Sequence, residues 1–150
     1  MKLSTKGRYG LRALIDLAVH EDDAVSIQSI AERQGISESY LEQLMRLLKK
    51  AELVTSVRGA GGGYRLGKPA ADISVGDILR ALEGNLDAVN CTAFEGEATC
   101  QGADCCVTKF VWKKINDAIT DTVDGIFLDE LVSDSKAVIE KKGESMVTMC

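Results

Sequence analysis

Ala31-Glu32-Arg33-Gln34-Gly35-Ile36-Ser37-Glu38-Ser39-Tyr40-Leu41-Glu42-Gln43-Leu44 is the stretch on which the reading of this chain turns. Before it, Ile27, Ile30 and Ala31 fall at helical spacing behind Ser26, a residue suited to accept from the free amides of a first turn. Gly35 breaks that period, and Ser37 is placed to cap a second helix from about Glu38 to Lys50. On the second helix Leu41, Leu44, Met45 and Leu48 share one side, while Ser39, Glu42, Gln43, Arg46 and Lys50 share the other. Two helices joined by one tight glycine turn predict a helix-turn-helix.

Upstream, Tyr9, Leu11, Leu14, Ile15, Leu17 and Ala18 predict an amphipathic helix over residues 7 to 20, ended in solvent by Glu21-Asp22-Asp23. Downstream the period changes to two. Val54-Thr55-Ser56-Val57-Arg58, a Gly59-Ala60-Gly61-Gly62-Gly63 turn and Tyr64-Arg65-Leu66 predict a β-hairpin, closed off by the single proline, Pro69. Ser74 and Asp77 form a capping-box start for a helix that runs through Leu82 and stops at Gly84. The expected fold is mainly α: a winged helix-turn-helix with a small β-hairpin wing, followed by a long C-terminal dimerisation helix.

The polar side of the second helix is then the part that meets a ligand. Laid in the major groove of double-stranded DNA, such a helix brings its N-terminal residues to base edges, where Gln pairs with adenine, Arg with guanine and Glu with cytosine. Ser39, Tyr40, Glu42, Gln43 and Arg46 are the candidate base readers. A solvated face is the plain alternative; the short helix, the glycine turn and the hairpin around it favour DNA. Arg58, beside the glycines of the hairpin tip, is placed to enter the minor groove, and otherwise is an exposed hairpin charge. Lys2, Lys6, Arg8 and Arg65 are candidate phosphate contacts.

Charge distribution agrees. The chain carries a net charge of -5, yet residues 1 to 68 hold eleven Lys and Arg against eight Asp and Glu, a net of +3, with the remainder at -8. With 45 % hydrophobic and 27 % charged residues in 150, the composition is that of one compact unit with an extension. No apolar run approaches a bilayer span and no signal peptide opens the chain, so a cytoplasmic protein without membrane contact is expected. Gly62 to Lys68 satisfies the first part of a nucleotide-binding P-loop, but position 69 is proline and the stretch lies along a predicted strand, so the match is accidental.

Residues 85 to 107 have weak periodicity and hold four of the five cysteines, Cys91, Cys100, Cys105 and Cys106, in the spacing C-x8-C-x4-C-C. In a reducing compartment an odd number of cysteines speaks for metal or redox chemistry rather than a disulfide framework. The spacing matches neither zinc knuckles nor plant ferredoxins. Thiol-based switching is the rival to a metal, since vicinal Cys105 and Cys106 can combine with Cys100 or Cys91 on oxidation. A cysteine-dependent redox enzyme has less to recommend it: the one histidine, His20, is remote, and no base stands near the thiols, so no catalytic residues are assigned.

Beyond the loop, Val111, Trp112, Ile115, Ala118 and Ile119 form an apolar stripe from about Thr108, continued after a break by Ile126, Phe127, Leu128 and Leu131. This exceeds what a small head needs and predicts a two-fold homodimer. Four segments result: residues 1–84 as the DNA-binding domain, 85–107 as the cysteine loop, 108–133 as the dimerisation and C-terminal helices, and 134–150 as a flexible tail on which Cys150 is a bystander.

Three segments carry a family resemblance: Met1 to Tyr9, Ala31 to Leu44, and Val57-Arg58-Gly59-Ala60-Gly61-Gly62-Gly63-Tyr64. They resemble the IscR-type iron-sulfur cluster regulators, a bacterial family of dimeric winged-helix transcription factors, and the likeness extends to about Ser133. The resemblance implies a [2Fe-2S] cluster held by Cys91, Cys100 and Cys106, with DNA specificity following cluster occupancy. It also implies a promoter site of roughly palindromic form. Related nitric-oxide-sensing repressors imply that cluster type and fourth ligand vary. Lys109 stands where the family offers a histidine, and the gap from Cys91 to Cys100 is longer, so Asp104, Cys105 or a residue of a second copy is left to complete the site.

Overall fold

A computed structural model describes residues 2–91 and 100–142. The acidic stretch 92–99 and the end of the chain with Cys150 lie outside the described residues. Among the described residues, six α-helices and one two-stranded antiparallel sheet follow in the order α1 (Thr5–Val19), α2 (Ile27–Gln34), α3 (Glu38–Lys50), β1 (Val54–Val57), β2 (Gly63–Leu66), α4 (Val75–Glu83), α5 (Thr108–Asp124) and α6 (Leu128–Lys142).

Local sequence sets most of these boundaries. Ser26 and Ser37 accept from the amides of Ser29 and Tyr40 and so cap α2 and α3, and Gly35 ends α2 in the left-handed conformation at φ 63°. The Ser74 and Asp77 capping box is formed at α4. Strands β1 and β2 pair Val54 with Leu66 and Val57 with Gly63, and β2 also pairs through Tyr64 with Val25 in the α1–α2 connection. At Gly63 the backbone has φ 155° and a side chain would strike the Val25 carbonyl, so this crossing needs glycine. With Gly63–Leu66 in a strand, the P-loop match has no structural counterpart.

The core gathers Ala13, Leu14 and Leu17 of α1, Ile30 of α2, and Leu41, Leu44, Met45 and Leu48 of α3 against Ile78 of α4 and Leu128 of α6. After α5 leaves this head, Gly125 ends it, and an antiparallel bridge between Ser74 and Phe127 returns the chain. Its bonds run from the Val75 amide to the Ile126 carbonyl and from the Leu128 amide to the Ile73 carbonyl, each 2.8 Å. Helix α6 then packs on α1 with Leu128 fully buried, a burial that stabilises by roughly 2 kcal/mol. It continues to Lys142, so that residues 134–142, expected as part of a flexible tail, are helical. Leu131, Val132, Ser135 and Ile139 stay half-buried at helical spacing, and Asp129 and Glu130 at one end and Lys141 and Lys142 at the other suit the helix dipole.

Two carboxylates lock α2 and the start of α1 in place. The buried Asp16 of α1 accepts from Arg33 Nη2 at 2.7 Å, from Arg33 Nε at 3.0 Å and from Gln34 Nε2 at 2.9 Å, fixing α2 to α1. Glu83, at the end of α4, accepts from the Ser4 hydroxyl at 2.6 Å and from the amides of Ser4 and Gly7 at 2.9 Å, and so caps α1 from outside. The Ser4 hydroxyl above all, with those amides and the charge of Lys6, holds the Glu83 carboxyl below its ordinary pKa. A group lowered on folding stabilises above its unfolded pKa and loses that contribution as pH falls through the folded one. Glu83→Gln is therefore expected to cost about 1 kcal/mol at neutral pH, with the difference from wild type closing in acid; urea unfolding at several pH values checks this, and a pH-independent difference would contradict it.

Candidate functional site

The candidate recognition surface is built by α3, the hairpin and the start of α1. Capped at Ser37 and anchored by four buried side chains, α3 turns Ser39, Glu42, Gln43 and Arg46 to solvent. Arg58 and Arg65 are exposed on the hairpin, and Lys2, Lys6 and Arg8 are exposed around the start of α1. Lys49 Nζ donates to Ser56 Oγ at 2.7 Å and so ties the last turn of α3 to the wing.

Tyr40 is placed differently from its neighbours. Its hydroxyl is 3.1 Å from Thr5 Oγ1, its ring meets that of Tyr9 edge-on at 6.1 Å, and it is half-buried. The Arg12 guanidinium lies over Tyr9, and Arg12 Nε donates to Gln34. Tyr40 therefore joins α3 to α1 within the protein, and its side chain is engaged where a free base reader would be open to the groove. Thr5, Tyr9, Arg12, Asp16, Arg33 and Gln34 form a framework behind the polar face of α3. Sequence periodicity marks none of these polar contacts, because each depends on which helix lies opposite.

Cys91, Cys100, Cys105 and Cys106 are free thiols, Cys100 and Cys105 exposed and the other two half-buried. Bonds from the Ala103 amide to the Cys100 carbonyl and from the Cys105 amide to the Gly102 carbonyl fold residues 100–105 into tight turns, with Ala103 inside. Cys106 stands at the entrance to α5, its Sγ 3.2 Å from Thr108 Oγ1. That hydroxyl, then the Lys109 amide, and with them the Lys109 charge, lower the thiol pKa and favour thiolate. Lys109 Nζ donates to the Ala103 carbonyl at 2.6 Å, which ties the turn to α5.

The donor chemistry suits iron: unpaired thiols on one short segment, one of them acidified. A finished cage is another matter, since among the described residues no three His, Cys, Asp or Glu side chains converge to hold a metal ion. Asp104 is exposed beside Cys105. Val107, which precedes α5, and Phe110, Val111 and Ile115 on it remain 77, 62, 49 and 39 % exposed, and no residue of that helix is fully buried. No described helix is long and apolar enough to cross a membrane.

Residues 3–134 match the family model Rrf2, described as an iron-dependent transcriptional regulator. The HTH-type transcriptional regulator IscR of Pectobacterium carotovorum subsp. carotovorum is 48 % identical over 139 residues, covering 92 % of this chain and 83 % of its own length. IscR of Vibrio vulnificus is 47 % identical, with 92 % and 81 % covered. Among solved structures, CymR, the global cysteine regulator of B. subtilis, superposes with a TM-score of 0.73 at 40 % identity, covering 89 % of this chain and 97 % of CymR. T. potens IscR gives 0.71 at 47 % identity, with 90 % and 88 % covered. An exposed α3, a winged hairpin and these relatives, all regulators and none an enzyme, make one conclusion: the chain belongs to the Rrf2 family of transcriptional regulators that bind DNA through a winged helix.

Proposed function

We propose that two copies of this chain form a regulator that reads iron-sulfur status through its thiol loop and answers by changing which promoter sites it accepts. The observation that carries this reading is continuity: the acidified Cys106 sits at the entrance to α5, and the exposed apolar stripe of Val107, Phe110, Val111 and Ile115 begins at once beyond it. Sensor and dimer contact share one helix.

Cys91, Cys100 and Cys106 would hold the cluster, as a [2Fe-2S] group, with Asp104 or Cys105 available as fourth ligand. When bound, it supplies an oxidant- and iron-sensitive centre at the head of α5. Lys109 is unsuited to ligation, because its Nζ donates to the Ala103 carbonyl and an ammonium has no lone pair to give. A second copy on the α5 stripe buries the apolar side chains by two-fold symmetry. Two α3 helices then lie about one DNA turn apart on a roughly palindromic site. Ser39, Glu42, Gln43 and Arg46 read the major groove with Tyr40 behind them, Arg58 enters the minor groove, and Lys2, Lys6, Arg8 and Arg65 hold phosphates. A second reading, switching by thiol oxidation or nitric oxide, draws on the lowered pKa of Cys106 beside the exposed Cys105.

Three outcomes are expected. Protein purified without oxygen absorbs visible light and Cys106→Ala does not; colourless wild-type protein whose DNA affinity responds to peroxide would install the thiol reading instead. Arg58→Ala loses about 1 to 3 kcal/mol of binding to a specific duplex, while Lys2→Ala weakens all sequences alike and reduces the salt slope by about 1, both measured by fluorescence anisotropy over a salt series. Ile115→Asp sediments as a monomer at concentrations where wild type is a dimer, and an unchanged sedimentation coefficient would remove α5 from the interface.

A further inference from the structure

The cysteine loop touches α5 at both of its ends. Its far end is the junction from Cys106 to Lys109. Its near end is gripped two turns further along the helix, by Asn116. Asn116 Oδ1 accepts from the Ala88 amide at 2.9 Å and lies 3.5 Å from the Val89 amide, while Nδ2 donates to the Val89 carbonyl at 3.0 Å. The side-chain carboxamide thus engages this stretch of backbone with both a donor and an acceptor, much as an adjoining strand does.

The Val89 carbonyl has a second donor. The Cys91 amide reaches it at 3.1 Å, closing a three-residue turn around Asn90. One oxygen is therefore shared by a side chain of α5 and the backbone of Cys91. Direction follows from Leu86, which is buried in a cluster with Ile119 and Val123 of α5. From Ile119 to Asn116 the chain travels against the helix, so that Cys91 emerges heading towards the N-terminal end of α5, where Cys106 stands.

We propose that Asn116 is the positioning residue that aims Cys91 along α5 towards Cys106. It acts through the Val89 peptide, and it makes the helix that bears the apolar stripe responsible for where the first thiol of the loop sits. The assignment rests on the proposal that Cys91 and Cys106 belong to one centre, and the test is built so that the two can fail separately.

The first arm uses the metal-free full chain. In Asn116→Ala the Ala88 and Val89 amides exchange with solvent about tenfold faster, in line with the loss of a hydrogen bond or two. Cys91 is alkylated by iodoacetamide several-fold faster while Cys100 keeps its rate. Asn116→Asp, which keeps the acceptor for Ala88 but has no donor for Val89, falls between. Unchanged rates at Ala88, Val89 and Cys91, or an equal rise at every thiol, overturn the proposal. The second arm follows visible absorbance after reconstitution with iron and sulfide: the cluster of Asn116→Ala decays several-fold faster than that of wild type, and equal lifetimes overturn the coupling. A wild-type chain that takes up no cluster overturns the iron-sulfur reading alone, and the metal-free rates then decide the role of Asn116 by themselves.

Discussion

The arrangement of this molecule depends on two backbone hydrogen bonds, from Val75 to Ile126 and from Leu128 to Ile73. They cross-link the start of α4 to the turn between α5 and α6, where Gly125 ends one helix and Leu128 begins the next. Because of them, α5 leaves the head as an arm and α6 comes back to cover α1. The Arg80 guanidinium, paired with Asp124 at 2.7 and 2.8 Å, reinforces the same corner from the side. A tilt of α5 reaches α4 through this corner and through Ile119 and Val123, which pack against Val75 and Leu79, and α4 carries the Glu83 carboxylate that caps α1. The helix that carries the thiol loop and the helix that caps α1 are thus joined at this corner by hydrogen bonds.

Rigidity of the reading surface comes from polar groups as much as from the core. Asp16 alone satisfies donors on two residues of α2, and the Tyr40 to Thr5 and Tyr9 contacts do the same for α3. Apolar packing sets how close helices lie; these directional bonds set their rotation about one another. For a protein that must fit a helix to DNA, rotation is the quantity that matters.

What could be read from sequence was local. Helix periods, the Ser26, Ser37 and Ser74 caps, the Gly35 turn and the two-residue alternation of the hairpin each lie within a few residues of the structure they specify, and α2, α3, β1, β2 and α4 follow them closely. The features hidden from sequence join distant residues: Asp16 with Arg33, Ser4 with Glu83, Ala88 with Asn116. An Asn or a Glu on an exposed helical face looks like solvent-facing polarity until the opposing backbone is known. Tyr40 illustrates the converse, a residue on the correct face whose hydroxyl is taken by Thr5. Helix α6 outruns its apparent end because half-burial against a neighbour, rather than composition, sustains it.

The dependence of α1 on later parts of the chain bears on how the protein is made. The first helix is capped by Glu83 and covered by α6 through Leu128, so its surroundings are complete only when residues far downstream are available. On the ribosome, α2, α3 and the hairpin can assemble from near neighbours, whereas α1 waits with part of its apolar face open. Of the helices described, the one synthesised first is among the last to be finished.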